Sequence, residues 1–152
     1  MSATQDRTRS ERICLKAIGH VIREADEPVS ADRIAALRAQ RFQIVVDSPF
    51  ADALLGVEAG SDLVVIYFAH RADNDVLQVH PRGNPERPLR GVFATRSPAR
   101  PNPIGLTTVR VEAIDGNVLE VVGLDAIDGT PVLDIKSHAQ GFDTPYSEAQ
   151  ET

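Results

Sequence analysis

The sequence has few of the features that mark secreted or membrane proteins. Cys14 is the one cysteine, so no internal disulfide can form, and we expect a cytoplasmic location. The longest apolar run, residues 63–69, is far shorter than the roughly 20 residues that a membrane-spanning helix requires. The first 12 residues are polar and charged, without the apolar stretch of a secretory signal. We therefore expect no contact with a membrane.

Motifs of several common enzyme classes are also missing. There is no G-x-G-x-x-G dinucleotide signature, no G-K-[S/T] phosphate loop, no H-E-x-x-H metal motif and no G-x-S-x-G nucleophile elbow. The four histidines lack close metal-ligand spacing, so we predict no metal site. A composition that is 42% hydrophobic and 25% charged excludes collagen-like, coiled-coil and wholly disordered chains.

The hydrophobic pattern predicts a mainly β protein. Apolar or alternating stretches predict strands at residues 13–22, 42–46, 63–69, 107–114, 117–124 and 132–135, and residues 92–95 could add a short one. Asp115-Gly116 is a strong hairpin signal between two of these strands, and Asp128-Gly129 marks another turn.

Two short helices complete the predicted architecture. Ser30 is suited to cap a helix over residues 31–40. Ser48 and Pro49 are predicted to be the N-cap and the first residue of a short helix that ends near Gly56. With 152 residues, the chain has the length of a single domain. We predict a β-barrel-like domain over residues 13–146, a flexible leader at 1–12 and a frayed tail at 147–152.

One segment, residues 71–103, differs from the rest in composition. It contains six of the ten prolines, which excludes a long helix there. Between residues 80 and 103, five arginines face one acid, although the whole chain carries a net charge of −6. A basic patch on an acidic body suits one anionic ligand or a short stretch of phosphate backbone, and a solvated arginine loop is the alternative.

Two stretches stand out beside this patch. Residues 96–107 read R-S-P-A-R-P-N-P-I-G-L-T, and residues 125–136 read D-A-I-D-G-T-P-V-L-D-I-K. The first holds two arginines on a backbone stiffened by three prolines, which lowers the entropy cost of presenting them to a ligand. Gly105 permits either a close approach of another group or a positive φ. In the second, Asp134 and Lys136 share one strand face.

Both stretches resemble the TrmO/TsaA family almost letter for letter. The similarity covers residues 18–136, including Y-F-A-H-R at 67–71 and V-H-P-R-G at 79–83. The resemblance implies a single dimeric β-barrel-type domain that binds S-adenosylmethionine without a Rossmann fold. It also implies methylation of N6 of threonylcarbamoyladenosine at position 37, beside the anticodon, of threonine tRNA.

The resemblance assigns the cofactor contacts residue by residue. By position in the motifs, it implies contacts from Pro28, Val29, Ser30, His70, Arg71, Arg96, Leu106, Asp128, Gly129, Thr130 and Pro131. Family members often carry Pro-Arg-Gln where this chain has Pro28-Val29-Ser30, so only backbone contacts are expected there. Lys136 is followed by Ser137-His138 rather than by the common Pro-Tyr.

The remaining predicted roles concern the tRNA and the reaction. Arg82, Arg87, Arg90 and Arg100 are candidates for anticodon-stem phosphates, with a structural role as the alternative for Arg100. Asp134 is the hypothesised base and Lys136 a stabiliser of developing negative charge, with a structural ion pair as the alternative. Some family members have a C-terminal extension that helps bind tRNA, which is not expected here. The competing hypotheses are a cofactor-binding regulatory protein without catalysis, and a methyltransferase with another acceptor.

Overall fold

Eight strands and two short α-helices are present among residues 11–23 and 34–148, the part of the chain that the computed structural model describes. The strands are β1 (Gly19–Ile22), β2 (Arg41–Val46), β3 (Asp62–Phe68), β4 (Gln78–Val79), β5 (Arg90–Gly91), β6 (Ile104–Asp115), β7 (Val118–Val122) and β8 (Pro131–Ser137). The helices are α1 (Ile34–Arg38) and α2 (Gln140–Asp143).

Six of the strands close an antiparallel barrel in the order β1-β2-β7-β6-β3-β8, and β4 and β5 form a separate two-stranded sheet. The ring closes where β1 pairs with β8 through Gly19 opposite Val132. The mainly β, barrel-like fold expected from the hydrophobic pattern is confirmed.

The core fills the inside of this barrel with branched aliphatic side chains. Alternate residues point inward along each strand, as the period of two requires. Val21, Ile44, Val65, Val111 and Leu119 are fully buried. Each such side chain contributes on the order of 1.5–3 kcal/mol to folding.

A β-bulge at Leu133 changes which residues of β8 face the core. Asp134 pairs with Ile66, whereas Val132 pairs with Tyr67, so Leu133 is the extra residue. Val132 is fully buried and Ile135 packs against the core. Asp134 and Lys136 therefore project from the outer surface of the barrel.

Several predicted elements differ in their bounds. The first strand begins at Gly19, not at residue 13, and Ile13 and Leu15 are exposed. Residues 92–95 are not a strand: Val92–Ala94 form a 3-10 helix, because the backbone N–H of Thr95 turns back to the Val92 carbonyl.

The two predicted helices end earlier than expected. Within the described residues, the helix predicted at 31–40 is α1, which ends at Arg38, and its proposed cap Ser30 lies outside them. The second is a 3-10 helix over Ser48–Leu54 whose N-cap is Asp47, so Ser48 is not the cap.

The hairpin between β6 and β7 is confirmed with its loop shifted by one residue. Asp115 pairs with Val118, so the two-residue loop is Gly116-Asn117. Gly116 has a φ of 59°. A glycine with positive φ at the first loop position is the arrangement of a type II′ turn, which matches the twist of the strands.

Candidate functional site

A cleft of about 1020 Å³ opens where β3 ends and β6 begins. Its floor includes Tyr67 and Gly105 from these strands, together with Asp125 and Thr130 from the segment between β7 and β8. The other wall of the cleft comes from the proline- and arginine-rich segment, residues 71–103. The volume is at the upper end of the range of small-molecule sites, roughly 300–1,000 Å³.

The wall segment is held in place by hydrogen bonds to backbone carbonyls rather than by a long helix or strand. The backbone N–H of Val92 donates to the Leu77 carbonyl at 2.9 Å, and the Val92 side chain is buried. The Arg87 carbonyl accepts a hydrogen bond from His80 Nδ1 at 2.8 Å. Arg82, at φ 58°, is the one described non-glycine residue in the left-handed region. Such conformations concentrate at functional sites.

Arg96 is fixed at the cleft by two sets of hydrogen bonds. Its guanidinium donates to the Leu106 carbonyl. The backbone on either side of it is held by Arg100, whose Nη1 donates to the carbonyls of Thr95 at 3.2 Å and Ser97 at 3.1 Å. The R-S-P-A-R stretch therefore uses its second arginine to shape the loop that carries the first.

A carboxylate held by two hydroxyls forms the polar part of the cleft floor. Asp125 Oδ1 accepts hydrogen bonds from Tyr67 Oη at 2.8 Å and from Thr107 Oγ1 at 2.6 Å. Gly105, the cross-strand partner of Tyr67, has no room for a Cβ atom because one would overlap the Tyr67 ring. The close approach expected at Gly105 is confirmed, and its φ is not positive.

The Tyr67 phenol is kept in its neutral form by this environment. Burial raises its pKa well above the ordinary value, and the negative charge and hydrogen bond of Asp125 raise the pKa further. The nearby positive charge of Arg96 lowers the pKa of the phenol by a smaller amount. Tyr67 therefore acts as a hydrogen-bond donor to Asp125 over the physiological pH range.

The turn before β8 is tied to β1. Asp128 Oδ1 accepts a hydrogen bond from the backbone N–H of Arg23 at 2.8 Å, and the backbone N–H of Gly129 donates to the Val21 carbonyl at 2.8 Å. The Thr130 hydroxyl is buried and donates to the Ile127 carbonyl at 2.6 Å. This turn forms one border of the cleft.

The predicted cofactor residues are partly gathered at this cleft. Arg71, Arg96 and Thr130 line it, and the Leu106 carbonyl holds Arg96. His70, Asp128, Gly129 and Pro131 adjoin lining residues in the chain without lining the cleft themselves. Pro28, Val29 and Ser30 lie outside the described residues.

Most of the predicted tRNA-binding residues line the cleft, whereas the predicted catalytic residues do not. Arg82, Arg87 and Arg90 line the cleft, whereas Arg100 points into its own loop. Asp134 and Lys136 form an ion pair of 2.9 Å with each other. Their side chains are 49% and 63% exposed, and neither lines the cleft.

The cleft carries an uneven charge. Five arginines line it, and Asp125 is its one acidic residue among those that the structure describes. No cluster of three or more potential metal ligands occurs in the described ranges. None of the helices in those ranges is both long enough and apolar enough to cross a membrane.

Residues 24–144 match the family model of the tRNA-methyltransferase O N-terminal domain. The chain belongs to this family. A probable S-adenosyl-L-methionine-binding protein of Pyrococcus horikoshii is 45% identical over 107 residues, which are 68% of this chain and 76% of that protein. A mouse tRNA (adenine(37)-N6)-methyltransferase is 41% identical over 98 residues, 62% of this chain and 22% of that protein.

The fold is similar to that of solved TrmO structures. A crystal structure of TrmO from Pseudomonas aeruginosa superposes with a TM-score of 0.65 at 28% identity. The match covers 90% of this chain and 60% of that one, so the chain spans about three fifths of the solved TrmO.

Tyr67 and Asp125 are two polar residues of the cleft floor to which the sequence analysis gave no role. They are 58 positions apart, and only the pairing of β3 with β6 and β8 brings them together. A signal was available, because Asp125 is the first acid of the 125–136 motif and Tyr67 begins the Y-F-A-H-R stretch. Neither position has a spacing that points to the other.

Proposed function

We propose that this protein is an S-adenosylmethionine-dependent methyltransferase that acts on N6 of threonylcarbamoyladenosine at position 37 of tRNA. Membership of the tRNA-methyltransferase O family supports the reaction class. The observation that carries the proposal is the fixed Arg96 guanidinium at the edge of a cleft of suitable size.

The residues at the cleft suit the cofactor, whose amino-acid end is zwitterionic. One carbonyl uses part of the donor fork of Arg96, and the remaining N–H groups can pair with a carboxylate. Ala94, Ala126 and Ile127 supply an apolar surface in the same cleft. His70, Arg71, Leu106 and the segment 128–131 complete the proposed cofactor site, together with Pro28, Val29 and Ser30.

When bound, S-adenosylmethionine supplies a methyl group on a cationic sulfur. The protein's main contribution is to hold the acceptor nitrogen in line with that methyl, since orientation can lower such a barrier by up to roughly 7–11 kcal/mol. The cleft is partly open to solvent, and a base from a tRNA loop would enter it from there. The basic wall of the cleft then orients the phosphates.

Arg82, Arg87 and Arg90 are the proposed contacts to phosphates of the tRNA anticodon stem and loop. All three are exposed and line the cleft. Each neutralised phosphate of a single strand contributes about 0.7 to the slope of log K against log salt. Arg90→Ala should reduce the slope for tRNA by about that amount, whereas Arg12→Ala, an exposed arginine away from the cleft, should not. Equal slopes for both variants would remove Arg90 from the interface.

We also propose Asp134 as the base and Lys136 as its partner in stabilising negative charge. Asp134→Asn should then reduce methyl transfer by about 100-fold or more without changing cofactor affinity. Unchanged turnover would leave the pair with a structural role only.

A second candidate function is cofactor binding without catalysis. It is favoured by the position of the Asp134–Lys136 pair, which is satisfied internally and does not line the cleft. A catalytic base must come within hydrogen-bond reach of the proton that it removes. For catalysis by Asp134, a second subunit or a bound tRNA would have to bring the acceptor to the outer surface of β8.

A homodimer in the cytoplasm is the proposed state of the protein. The outer surface of β3 and β6 exposes Phe68, Ile104 and Leu106 by 39%, 41% and 48%, and Phe68 and Ile104 are cross-strand partners. An apolar patch of this kind at the edge of the cleft, which Ile104 also lines, suits a subunit contact. Light scattering coupled to size-exclusion chromatography measures the mass directly.

Transfer of a labelled methyl group from S-adenosylmethionine to purified tRNA tests the proposed function. Threonine tRNA with and without the threonylcarbamoyl group is compared, and Arg96→Ala is the matched variant. We expect label only in the modified tRNA and a large loss with Arg96→Ala. Binding without transfer would support the second candidate, and transfer to unmodified tRNA or to a small molecule would identify another acceptor.

A further inference from the structure

The cleft floor contains a negative charge that the surrounding arginines do not neutralise. Asp125 is the one acid among the described residues that line the cleft, and five arginines line it as well. An acid in such surroundings would be expected to pair with an arginine. None of the ion pairs of the described residues includes Asp125.

The partners of Asp125 are instead two neutral hydroxyls on the same oxygen. Tyr67 Oη and Thr107 Oγ1 both donate to Oδ1, at 2.8 and 2.6 Å. Hydroxyl donors fix the orientation of a carboxylate without cancelling its charge. No residue that the structure describes donates to Oδ2, so this oxygen is available to a ligand in the cleft.

The position of the two donors is itself built into the barrel. Thr107 is buried, and Tyr67 lies across the backbone of Gly105, where no larger residue fits. Both hydroxyls come from adjacent strands, β3 and β6, whose pairing is continuous from residue 62 to residue 68. The carboxylate is thus held on a rigid floor, which is the arrangement that a binding group requires.

We propose that Asp125 is the group that recognises a positively charged centre of the bound cofactor. This inference rests on the proposed function. S-adenosylmethionine has two such centres, the sulfonium sulfur and the α-ammonium group, and a fixed anion suits either one. The carboxylate of the ligand would then be left to Arg96, so that the acidic and the basic side chain match the opposite charges of the ligand. Phosphates, which the other lining residues attract, are repelled at this point.

Calorimetric titration with three related ligands tests the proposal. S-adenosylmethionine carries both positive centres, S-adenosylhomocysteine only the ammonium, and 5′-methylthioadenosine neither. The variants are Asp125→Asn and, as a charge-matched control, Asp75→Asn, an exposed acid of the wall segment that does not line the cleft. Unfolding curves check that each variant is folded.

We expect Asp125→Asn to weaken binding of S-adenosylmethionine by about tenfold or more, since hydrogen bonds to charged groups are among the stronger ones. If S-adenosylhomocysteine binding is nearly unchanged, the carboxylate faces the sulfonium. If both weaken equally and 5′-methylthioadenosine does not, it faces the ammonium. Either result supports the proposal, and Asp75→Asn should have no effect on any ligand.

Equal loss for all three ligands, or no loss for any, would overturn the proposal while leaving the cofactor site in place. Absence of binding by the unmodified protein would instead overturn the proposed function, and this inference with it.

A second pair of variants covers the case in which Asp125→Asn does not fold. Thr107→Val removes one of the hydroxyls at nearly constant shape, and Thr107→Ser retains it. We expect Thr107→Val to weaken binding of the same ligands as Asp125→Asn, but by a smaller factor. Thr107→Ser should bind each ligand as tightly as the unmodified protein does. Identical affinities in both variants would contradict a positioning role for the hydroxyl.

Discussion

Replacing Gly105 by alanine should disturb the floor of the cleft more than any other single-methyl change there. A Cβ atom at this position would lie 2.6 Å from the Tyr67 hydroxyl and would overlap the ring carbons beside it. The ring must therefore move, which separates Tyr67 from Asp125. The neighbouring strands hold both backbones, so the strain cannot be relieved by a small shift.

The expected cost of Gly105→Ala follows from three contributions. Overpacking costs about 1–3 kcal/mol. Loss of the bond from Tyr67 to Asp125 costs about another 1 kcal/mol. The lower backbone entropy of alanine in the unfolded chain returns roughly 0.5–1 kcal/mol. We expect a net loss of about 1–3 kcal/mol in the free energy of unfolding, with weaker binding of S-adenosylmethionine.

Chemical denaturation of four proteins tests this reasoning: the original, Gly105→Ala, Tyr67→Ala and the double variant. Without the Tyr67 ring, a Cβ atom at position 105 has no steric clash. Gly105→Ala in the Tyr67→Ala background should therefore be neutral or slightly stabilising. Gly91→Ala, where the nearest atom is the Leu77 carbonyl oxygen at 4.0 Å, is the control and should be nearly neutral. An equal loss from Gly105→Ala with and without the ring would refute the proposed clash.

Three further predictions concern the loop, the phenol and the closure of the barrel. Arg100→Lys should weaken S-adenosylmethionine binding by about tenfold through a looser Arg96 loop; unchanged affinity in calorimetry would contradict this. In Tyr146→Phe, Tyr67 is the remaining tyrosine, and its phenolate absorbance should appear only well above the ordinary pKa of about 10. Because the pKa of Tyr67 is raised in the folded state, the free energy of unfolding decreases as the pH rises above the pKa of this tyrosine in the unfolded chain. A titration midpoint near 10 for Tyr67 in the folded protein would refute the raised pKa. Gly19→Ala should destabilise strongly in thermal unfolding, since a Cβ there overlaps a backbone carbonyl of β2; a nearly unchanged midpoint would contradict the packing.

The alternating strands of the barrel could be predicted from local sequence. β2 and the hairpin of β6 and β7 carry branched apolar residues at a period of two, β3 is a continuous apolar run, and Gly116 marks the turn. The closure of β1 onto β8 could not be predicted in this way. It depends on partners about 110 positions apart and on the bulge at Leu133, which local pattern does not reveal.

The local hydrophobic pattern also led to wrong strand predictions in two places. Ile13 and Leu15 alternate like a strand but have no neighbouring strand to pair with among the described residues, and they are exposed. Val92 and Phe93 have strand-forming side chains, yet the Val92 carbonyl accepts hydrogen bonds from both the N–H and the hydroxyl of Thr95. These bonds close a 3-10 turn and compete with strand formation.

The candidate site residues could be named from sequence only where they lie in contiguous stretches. The 96–107 stretch pointed to Arg96, whose support from Arg100 is local in sequence. The floor was not predicted, because the contact between Tyr67 and Asp125 exists only once three strands have paired. Residues that come together only through strand pairing have no characteristic spacing in the sequence.

Calorimetric titration of the protein with S-adenosylmethionine, beside Arg96→Ala and Arg12→Ala, tests the central claim most directly. We expect saturable binding that weakens by about tenfold or more with Arg96→Ala, because a charge-assisted bond is lost, and that is unchanged with Arg12→Ala. No binding by the original protein, or the same affinity after Arg96→Ala, would contradict the assignment of the cleft as the cofactor site.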